Sequence, residues 1–261
     1  MLRPMCAFKV LQFNIQFGQN WNDANPDVAP INLDLTIAEI RSHDADIVLL
    51  QEVEQGRPGG VQPEPPPNFT RLRAELSGYH SFFSYPKADP RELPFGIGLA
   101  ILSKTPLRDT VRRDLPSPAV EFDFHGERRT PTDRLLIGAK TVIAGRELQL
   151  FNTHLLAFFM LNATSEEHNS QRQFVVDQLR AATGPTLFGG DFNVSKHGSL
   201  VQQFTSAGYQ TVQTSEVTWR RRPYVLDHLF YNRHLRPVHH AVKHTPASDH
   251  HVLVAEFEFV D

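Results

Sequence analysis

Short apolar segments that run into polar residues recur throughout this chain of 261 residues. Apolar runs of this length, bounded by turn residues, are typical of buried β-strands. Strands are predicted at Phe8–Phe13, Ile47–Leu50, Gly98–Leu102, Leu135–Val142, Leu148–Asn152, Thr186–Phe188, His228–Phe230 and Val252–Phe259. Because buried strands need other layers to cover their faces, the series favours two sheets packed face to face with helices outside.

Amphipathic helices are predicted between some of these strands. Apolar residues recur at helical spacing in Leu33–His43 and in Ser170–Ala182, and Thr70–Ser77 and Gly198–Ala207 are shorter candidates. No linker separates two halves of comparable size, so we expect one domain that spans residues 1–261.

One segment is biased in composition. Gly56–Asn68 is so rich in proline and glycine that it cannot continue a helix or a central strand. It is interpreted as a surface loop, although it follows Glu52 closely enough to overhang a site there.

Composition and charge exclude several kinds of protein. The formal net charge is −3, whereas a dedicated nucleic-acid binder usually carries a basic excess, so nucleic acid is a possible but not a favoured partner. Cys6 is the only cysteine, which excludes an intramolecular disulfide and a cysteine-based zinc site. The chain begins without a signal-peptide pattern and contains no apolar run of about 20 residues that could span a membrane. The expectation is a soluble protein, with the cytoplasm as the default location.

Polar side chains follow the predicted strands in a consistent series. They are Asn14, Glu52, His154, Asp191 with Asn193, Asp227, and Asp249 with His250. If the strand ends gather at one rim of the sandwich, these residues form a single cluster of carboxylates, amides and imidazoles.

Such a cluster suits magnesium and phosphate chemistry. Mg²⁺ prefers oxygen ligands and keeps several waters, so one or two carboxylates and a substrate phosphate satisfy it. Crowded carboxylates repel one another and are stabilised by a cation. A metal offsets the charge of a phosphodiester, while a carboxylate or histidine orients and deprotonates the attacking water.

Each of these residues also has an ordinary structural explanation. Asn14 alone reads as a turn residue, and Glu52 could be a solvated charge at a strand end. The segment Gly189–Asn193 is harder to explain in this way, because two glycines permit close backbone approach beside two oxygen-bearing side chains. Their shared position at strand ends favours a common site.

The ordered motifs resemble a known family. The set FNIQ, LLQEV, GLAILSK, FNTHL, GGDFN, LDHLF and SDHH is similar to the endonuclease/exonuclease/phosphatase superfamily, from Val10 to Phe259. The resemblance implies an α/β (α+β) fold, a four-layered sandwich with two central mixed β-sheets flanked by helices. It implies a metal-dependent phosphoric ester hydrolase that uses Mg²⁺, with Mn²⁺ or Ca²⁺ as possible substitutes.

The resemblance also implies roles for individual residues. Glu52 resembles the principal magnesium ligand, with Asn14 beside it, and Asp249 completes the metal or water network. His154 matches a phosphate-contacting histidine. Asp191 and Asn193 match a pair that orients the water and stabilises the transition state. Asp227 matches the carboxylate that orients His250, and either His250 or Asp191 takes the proton.

Residues outside this set are assigned from weaker signals. Arg134 stands where the family often carries an arginine, which contacts phosphate or a neighbouring carboxylate. Trp219 and Arg221 belong to a basic and aromatic loop that either binds an anionic substrate or consists of a core tryptophan with solvated arginines. Phe158–Met160 either lines a substrate cleft or touches lipid, or covers part of the core, which is the favoured interpretation. Arg172 is interpreted as structural, and His251 is expected to face away from His250.

Three functions remain open from the sequence. The first is a phosphodiesterase or phosphatase for a small or lipid-linked phosphate ester, and the second is a nuclease with the same site. The third is a non-catalytic scaffold, which the complete set of polar residues disfavours. A zinc hydrolase is disfavoured because no HExxH motif occurs. The sequence does not indicate the natural substrate or the oligomeric state.

Overall fold

The computed structural model describes residues 7–93, 95–118 and 120–260. Its strands are β1 Phe8–Asn14, β2 Ile47–Gln55, β3 His80–Ser84, β4 Gly96–Ser103, β5 Arg108–Asp114, β6 Phe122–Phe124, β7 Glu127–Arg129, β8 Leu135–Ile143, β9 Arg146–His154, β10 Thr186–Asp191, β11 Tyr209–Thr211, β12 Asp227–Asn232, β13 Leu235–Lys243 and β14 Val252–Phe259. Its α-helices are α1 Leu33–His43, α2 Pro67–Glu75, α3 Ser170–Ala181 and α4 His197–Ser206. The expectations about the N-terminus and Cys6 concern residues outside the described ranges.

Two six-stranded mixed sheets form the centre of the fold. The first has the order β13-β14-β1-β2-β4-β3, and the second has the order β11-β12-β10-β9-β8-β5. In each sheet the two central strands are parallel, and all other neighbours are antiparallel. The sheets therefore share one pattern, in which β1 corresponds to β10, β2 to β9 and β14 to β12.

Three hydrophobic clusters define four layers. One cluster lies between the sheets and includes Val10 and Leu49 of the first sheet with Leu150 and Leu187 of the second. Another packs α1 and α2 on the outer face of the first sheet, and the third packs α3 and α4 on the second. The predicted four-layered sandwich with two mixed sheets is confirmed.

The predicted helices are present with small differences at their ends. Helix α1 has the predicted bounds; the Oδ1 atom of Asn32 accepts a hydrogen bond from the backbone N–H of Asp34, and Asp44 ends the helix in a left-handed conformation. Helix α2 begins at Pro67, earlier than predicted, because proline fits the first turn of a helix. None of the helices in the described ranges is long and apolar enough to cross a bilayer.

The proline-rich segment forms a connection between β2 and α2. It contains one short 3-10 turn, Pro58–Gly60. It also packs against the residues that directly follow β3. Gln62 donates a hydrogen bond to the carbonyl of Pro86, and the hydroxyl of Tyr85 donates one to the carbonyl of Pro63. Most of its residues are exposed or half-buried, as expected for a surface loop, but the last two of the predicted segment, Pro67 and Asn68, already belong to α2.

Candidate active site

The predicted polar residues meet at one rim, where corresponding strands of the two sheets come together. Asn14 ends β1 and Asp191 ends β10; the Asn14 Nδ2 atom donates to the Asp191 Oδ2 atom at 3.0 Å. His154 ends β9, and its Nε2 atom lies 3.8 Å from the Oε1 atom of Glu52 in β2. These residues occupy equivalent strands, so each sheet contributes half of the cluster.

Glu52 reaches the rim through an irregularity in β2. The pairing of β2 with β4 shifts register between Gln51 and Glu54, and Glu52 has a φ of 50°. A positive φ is uncommon for a residue with a side chain and tends to occur at functional sites. Gly96 lies beside this bulge, and any Cβ at that position would overlap the Glu52 side chain. The glycine therefore leaves the space into which the carboxylate turns.

The segment Gly189–Asn193 has little free space around its backbone. A Cβ at Gly190 would overlap the carbonyl of Thr153, and one at Gly189 would collide with Leu49 of the other sheet. The backbone N–H of Asn193 donates to the Asp191 Oδ1 atom at 3.0 Å, and Asn193 has a φ of 50°. This turn fixes the Asp191 carboxylate, which is 1% exposed.

Asp227 and His250 form a buried pair. The Nδ1 atom of His250 lies 2.8 Å from the Asp227 Oδ2 atom, and its Nε2 atom lies 3.6 Å from the Asp191 Oδ2 atom. Gln12 donates to the other Asp227 oxygen at 2.5 Å. Since Asp227 accepts from Nδ1, the Nε2 atom of His250 is the nitrogen directed towards Asp191 and the cluster.

His154 is a neutral hydrogen-bonding group. The Arg134 guanidinium can only donate, and its Nη1 atom lies 3.0 Å from the His154 Nδ1 atom, which therefore accepts. Burial and the positive charge of Arg134 hold the pKa of His154 well below its usual range. In the neutral ring the proton is then on Nε2, which lies 3.4 Å from Asp191. The Asn193 Nδ2 atom, 2.8 Å from the same nitrogen, therefore does not donate to it and donates to the carbonyl of Leu155 instead.

The two candidate proton acceptors have opposed environments. Burial raises the pKa of Asp191 to about 7, against the favourable charge of His250. Burial of the His250 ring opposes its protonation, but the charges of Asp227 and Asp191 outweigh burial and raise the pKa of His250 to about 10. A carboxyl group and an imidazole at this separation share their protons, so they titrate as a pair.

The donor set fits a divalent cation. Glu52, His154 and Asp191 offer ligand atoms within 4.8 Å of one another, as do Asp191, Asp227 and His250. Burial and the nearby charge of Asp249 raise the pKa of Glu52, which means that its ionised form is destabilised in the absence of a cation. Clustered carboxylate oxygens of this kind are the ligands that Mg²⁺ prefers.

Asp249 lies beside these clusters rather than within them. Its Oδ2 atom accepts from the Trp219 Nε1 atom at 3.2 Å and from the Arg221 Nε atom at 2.8 Å. Trp219 is 9% exposed, and its ring lies 6.3 Å from that of His250, so it is a buried residue that also borders the site. Arg221 is paired with Asp249 and Asp27 rather than simply solvated.

Other sequence interpretations can be compared with the contacts. His251 stacks on His244 with ring centroids 3.9 Å apart and not on the cluster, as expected. Arg172 donates to Ser165 and Gln203, as expected for a structural arginine. Phe158 is buried and stacks on His168, and the Phe159 ring lies 5.7 Å from that of Trp219. These contacts do not decide between the interpretations of that segment.

The sequence interpretation missed residues that tie the site together. Gln51 donates to Asn152, and the Asn152 amide donates to carbonyls of Leu50 and Ala100, which links the sheets. The Thr218 hydroxyl accepts from the backbone N–H of Asp227, and Ser248 donates to the carbonyl of Asn14. Gln12, which holds Asp227, could have been found from the sequence. It lies two residues before Asn14, so both side chains lie on one face of β1.

Similar structures share this architecture. An endonuclease/exonuclease/phosphatase from Beutenbergia cavernae matches with a TM-score of 0.72 at 20% identity, over 97% of this chain and 72% of that one. The human Nocturnin catalytic domain with bound sulfate matches with a TM-score of 0.67 at 22% identity, over 99% and 96%. ANGEL2, described as a 2',3'-cyclic phosphatase, gives a TM-score of 0.67 at 16% identity, over 97% and 95%. These likenesses show the fold.

Sequence comparison adds relatives and a family. A UPF0294 protein of Vibrio cholerae is 32% identical over 124 residues, which are 45% of this chain and 42% of that protein. A UPF0294 protein of Yersinia pseudotuberculosis is 33% identical over 119 residues, 44% of each chain. The chain thus matches less than half the length of these curated relatives. The sequence pattern of the Endonuclease/Exonuclease/phosphatase family matches residues 11–250. The chain therefore belongs to that family, whose members hydrolyse phosphoesters.

Proposed function

We propose that this protein is a magnesium-dependent phosphoester hydrolase of the phosphodiesterase or phosphatase type. The observation that supports this most directly is the position of the Asp191 Oδ2 atom, which lies 3.0 Å from Asn14, 3.4 Å from His154 and 3.6 Å from His250. One carboxylate thus lies beside Asn14, which is next to the proposed metal ligand Glu52, beside the proposed phosphate-binding residue His154, and beside His250, its partner in the proposed water-activating pair. Water, phosphate and cation can meet at such a point.

Glu52 is the proposed principal ligand of Mg²⁺, with Asn14 and Asp249 as its partners. The Asn14 amide already lies between Glu52 and Asp191, and the charge of Asp249 is close enough to raise the pKa of Glu52. When bound there, Mg²⁺ offsets the negative charge of the phosphate and of the attacking water.

Asp191 and His250 are the proposed water-activating pair. A general base works best when its pKa lies near the working pH, and the pKa of Asp191 is raised to about 7. Asp227 holds the Nδ1 atom of His250, so the Nε2 atom stays directed towards the reacting water or phosphate. His250, positively charged beside Asp191, also stabilises phosphate oxygens.

His154, Asn193 and Arg134 are the proposed phosphate-binding groups. Neutral His154 presents its Nε2 proton towards the cluster, and the Asn193 amide, which donates to the carbonyl of Leu155, lies on the same side. The guanidinium of Arg134 holds His154 from behind and brings a positive charge to the same side. Donors fixed before substrate arrives stabilise a transition state without reorganisation.

The test is hydrolysis of bis-p-nitrophenyl phosphate, p-nitrophenyl phosphate, plasmid DNA and sphingomyelin with Mg²⁺ or with EDTA. We expect magnesium-dependent cleavage of at least one substrate, and turnover lower by about two to four orders of magnitude in His250→Ala and Asp191→Ala. His239→Ala, at an exposed position of β13, is the matched control. Near-normal turnover in either folded variant overturns these roles.

A further inference from the structure

Arg221 joins two carboxylates that differ in their burial. Its Nε atom donates to the Asp249 Oδ2 atom at 2.8 Å, and its Nη1 atom donates to the Asp27 Oδ1 atom at 2.7 Å. The side chain of Asp249 is 8% exposed, whereas that of Asp27 is 78% exposed. One guanidinium, which is always positively charged, therefore links a buried carboxylate to a carboxylate at the surface.

Asp249 lies close to the proposed metal ligand Glu52. Its backbone N–H donates to the Gln16 Oε1 atom at 3.4 Å, and the backbone N–H of Gln16 donates to the Asn14 Oδ1 atom at 3.1 Å. The Asn14 amide in turn donates to the Glu52 Oε1 atom at 3.0 Å. Burial and, after it, the charge of Asp249 raise the pKa of Glu52, so the two carboxylates repel each other. Both are therefore attracted to the same divalent cation.

The charge of Arg221 offsets that of Asp249 before a cation binds. The Arg221 side chain is only 27% exposed, so its ion pair with Asp249 is partly shielded from solvent. Interactions between partly buried charges are screened less by salt than those between charges at the surface. A divalent cation beside Glu52 and the Arg221 guanidinium therefore repel each other and compete for one carboxylate.

Asp27 gives the guanidinium of Arg221 a second partner. Asp27 lies in the 3-10 turn Pro26–Val28, which belongs to the connection between β1 and α1. The guanidinium also lies over the Trp21 ring of this connection, 5.5 Å from its centroid. Arg221 can therefore remain paired and stacked when Asp249 interacts with a cation. The contact with Asp27 thus weakens the interaction of Arg221 with Asp249.

Other contacts hold Asp249 in place without the Arg221 side chain. The Trp219 Nε1 atom donates to the Asp249 Oδ2 atom at 3.2 Å, and the backbone N–H of Arg220 donates to the carbonyl of Asp249 at 2.9 Å. Trp219 also pairs with His250 in an antiparallel bridge. Removal of the Arg221 side chain therefore changes the charge around Asp249 more than its position. Loss of a competing charge strengthens cation binding, whereas loss of an anchor would weaken it.

We propose that Arg221 is an internal counter-ion that competes with the divalent cation for Asp249, and that Asp27 reduces this competition. Arg221 is thus a positioning residue that acts through Asp249, lowers the affinity of the site for its cation and keeps that cation exchangeable. The inference rests on the proposed function for the presence of a cation, but cation binding does not require hydrolysis.

Binding can be measured with Mn²⁺, because bound Mn²⁺ is lost from the electron paramagnetic resonance signal of the free ion. Arg221→Met should lower the Kd of Mn²⁺ about three- to tenfold, since a partly screened positive charge is removed beside the site. Asp27→Asn should raise the Kd about two- to threefold, because Arg221 then pairs with Asp249 alone. In the Arg221→Met background the same Asp27→Asn change should have little effect. Arg222→Met removes the neighbouring exposed arginine and, as the matched control, should bind as the wild type does.

Arg221→Lys separates an effect of charge from an effect of structure. Lysine keeps the charge without the planar fork of arginine, so this variant should bind Mn²⁺ within about twofold of the wild type. Unchanged or weaker binding by folded Arg221→Met overturns the inference and leaves the metal site intact. If Arg221→Met does not fold, an unchanged Kd in Asp27→Asn overturns it in the same way.

Turnover separates this inference from the proposed function. The expected order of Mn²⁺ affinities, without hydrolysis of any phosphoester, supports the inference and contradicts the proposed function. Wild-type protein that binds no divalent cation contradicts both.

Discussion

Asn14 and Asp191 end the corresponding central strands of the two sheets, and the Nδ2 atom of Asn14 lies 3.0 Å from the Oδ2 atom of Asp191. The same correspondence relates Glu52 to His154 and His250 to Asp227. These three contacts each join one residue from the first sheet to one from the second. The site forms only when the two sheets pack in one relative position.

Gly96→Ala should impair activity although it replaces none of the proposed catalytic or metal-binding side chains. The added Cβ would overlap Glu52, so the carboxylate must leave the rim or β4 must move. We expect turnover to fall by at least tenfold and the Mg²⁺ requirement to rise, as measured by initial rates over a magnesium titration.

Gly198→Ala is the matched control for this substitution. Gly198 lies in α4, and a Cβ there would meet no atom within 4 Å. Since alanine favours helix, the variant should keep normal activity and be about 0.4–1 kcal/mol more stable. Equal activities of the two variants would show that Glu52 does not depend on the space at Gly96.

Gln12→Met should reduce turnover through the orientation of Asp227. The Gln12 amide donates to the Asp227 Oδ1 atom at 2.5 Å, and loss of a hydrogen bond to a buried carboxylate costs about 1–3 kcal/mol. We expect a lower kcat with a shifted pH profile, because Asp227 holds His250. Gln202→Met, on the exposed side of α4, should change neither quantity. A normal pH profile in Gln12→Met would mean that Gln12 is only structural.

Glu52→Gln should make the protein more stable than the wild type without magnesium and less stable than the wild type with it. The pKa of Glu52 is raised by burial and by Asp249, so its ionised form destabilises the native state above that pKa. In EDTA at neutral pH the variant should therefore unfold at a higher temperature than the wild type. With Mg²⁺ at a hundred times its Kd, the wild type should gain about 2.7 kcal/mol and the variant much less. Equal magnesium shifts in both proteins would remove Glu52 from the metal site.

His228 should make the protein sensitive to mild acid. Burial and the positive charge of His197 lower the pKa of His228 to about 4, from its usual value of 6.5. Between pH 4 and pH 6.5 the unfolded chain therefore binds a proton at His228 that the native state does not bind. This contribution to stability is complete above pH 6.5, is lost as pH falls to about 4, and amounts to about 3 kcal/mol.

His228→Phe provides the measurement, because the ring already packs among Phe192 and Phe230. Urea unfolding at several pH values should show a shallower loss of stability for the variant between pH 6.5 and 4. Parallel curves for the two proteins would show that His228 does not titrate differently in the native state.

The strands predicted from sequence are the interior strands, and those missed include every edge of the two main sheets. β3, β5, β11 and β13 lie at edges. An interior strand is covered on both faces and reads as an apolar run, whereas an edge strand is partly solvated and carries polar residues. β13 even contains Pro237, which an edge tolerates because proline lacks a backbone donor.

The side chains of the site were predictable in identity but not in arrangement. Acidic and amide residues after apolar runs are visible in the sequence, and each predicted residue lies at or beside the rim. The bulge that turns Glu52 and the pairing of Asp249 with Arg221 depend on contacts between distant segments.

Hydrogen bonds cross the largely apolar space between the sheets, among them those from Gln12 to Asp227 and from Gln51 to Asn152. Dispersion contacts are non-directional, so two apolar surfaces can shift against each other at a small cost in free energy. A buried hydrogen bond loses its partner when the surfaces shift. The Gln12 and Gln51 amides therefore oppose sliding of one sheet over the other. Because the reacting groups are divided between the sheets, the rigidity of the sandwich determines how precisely the distances between these groups are kept.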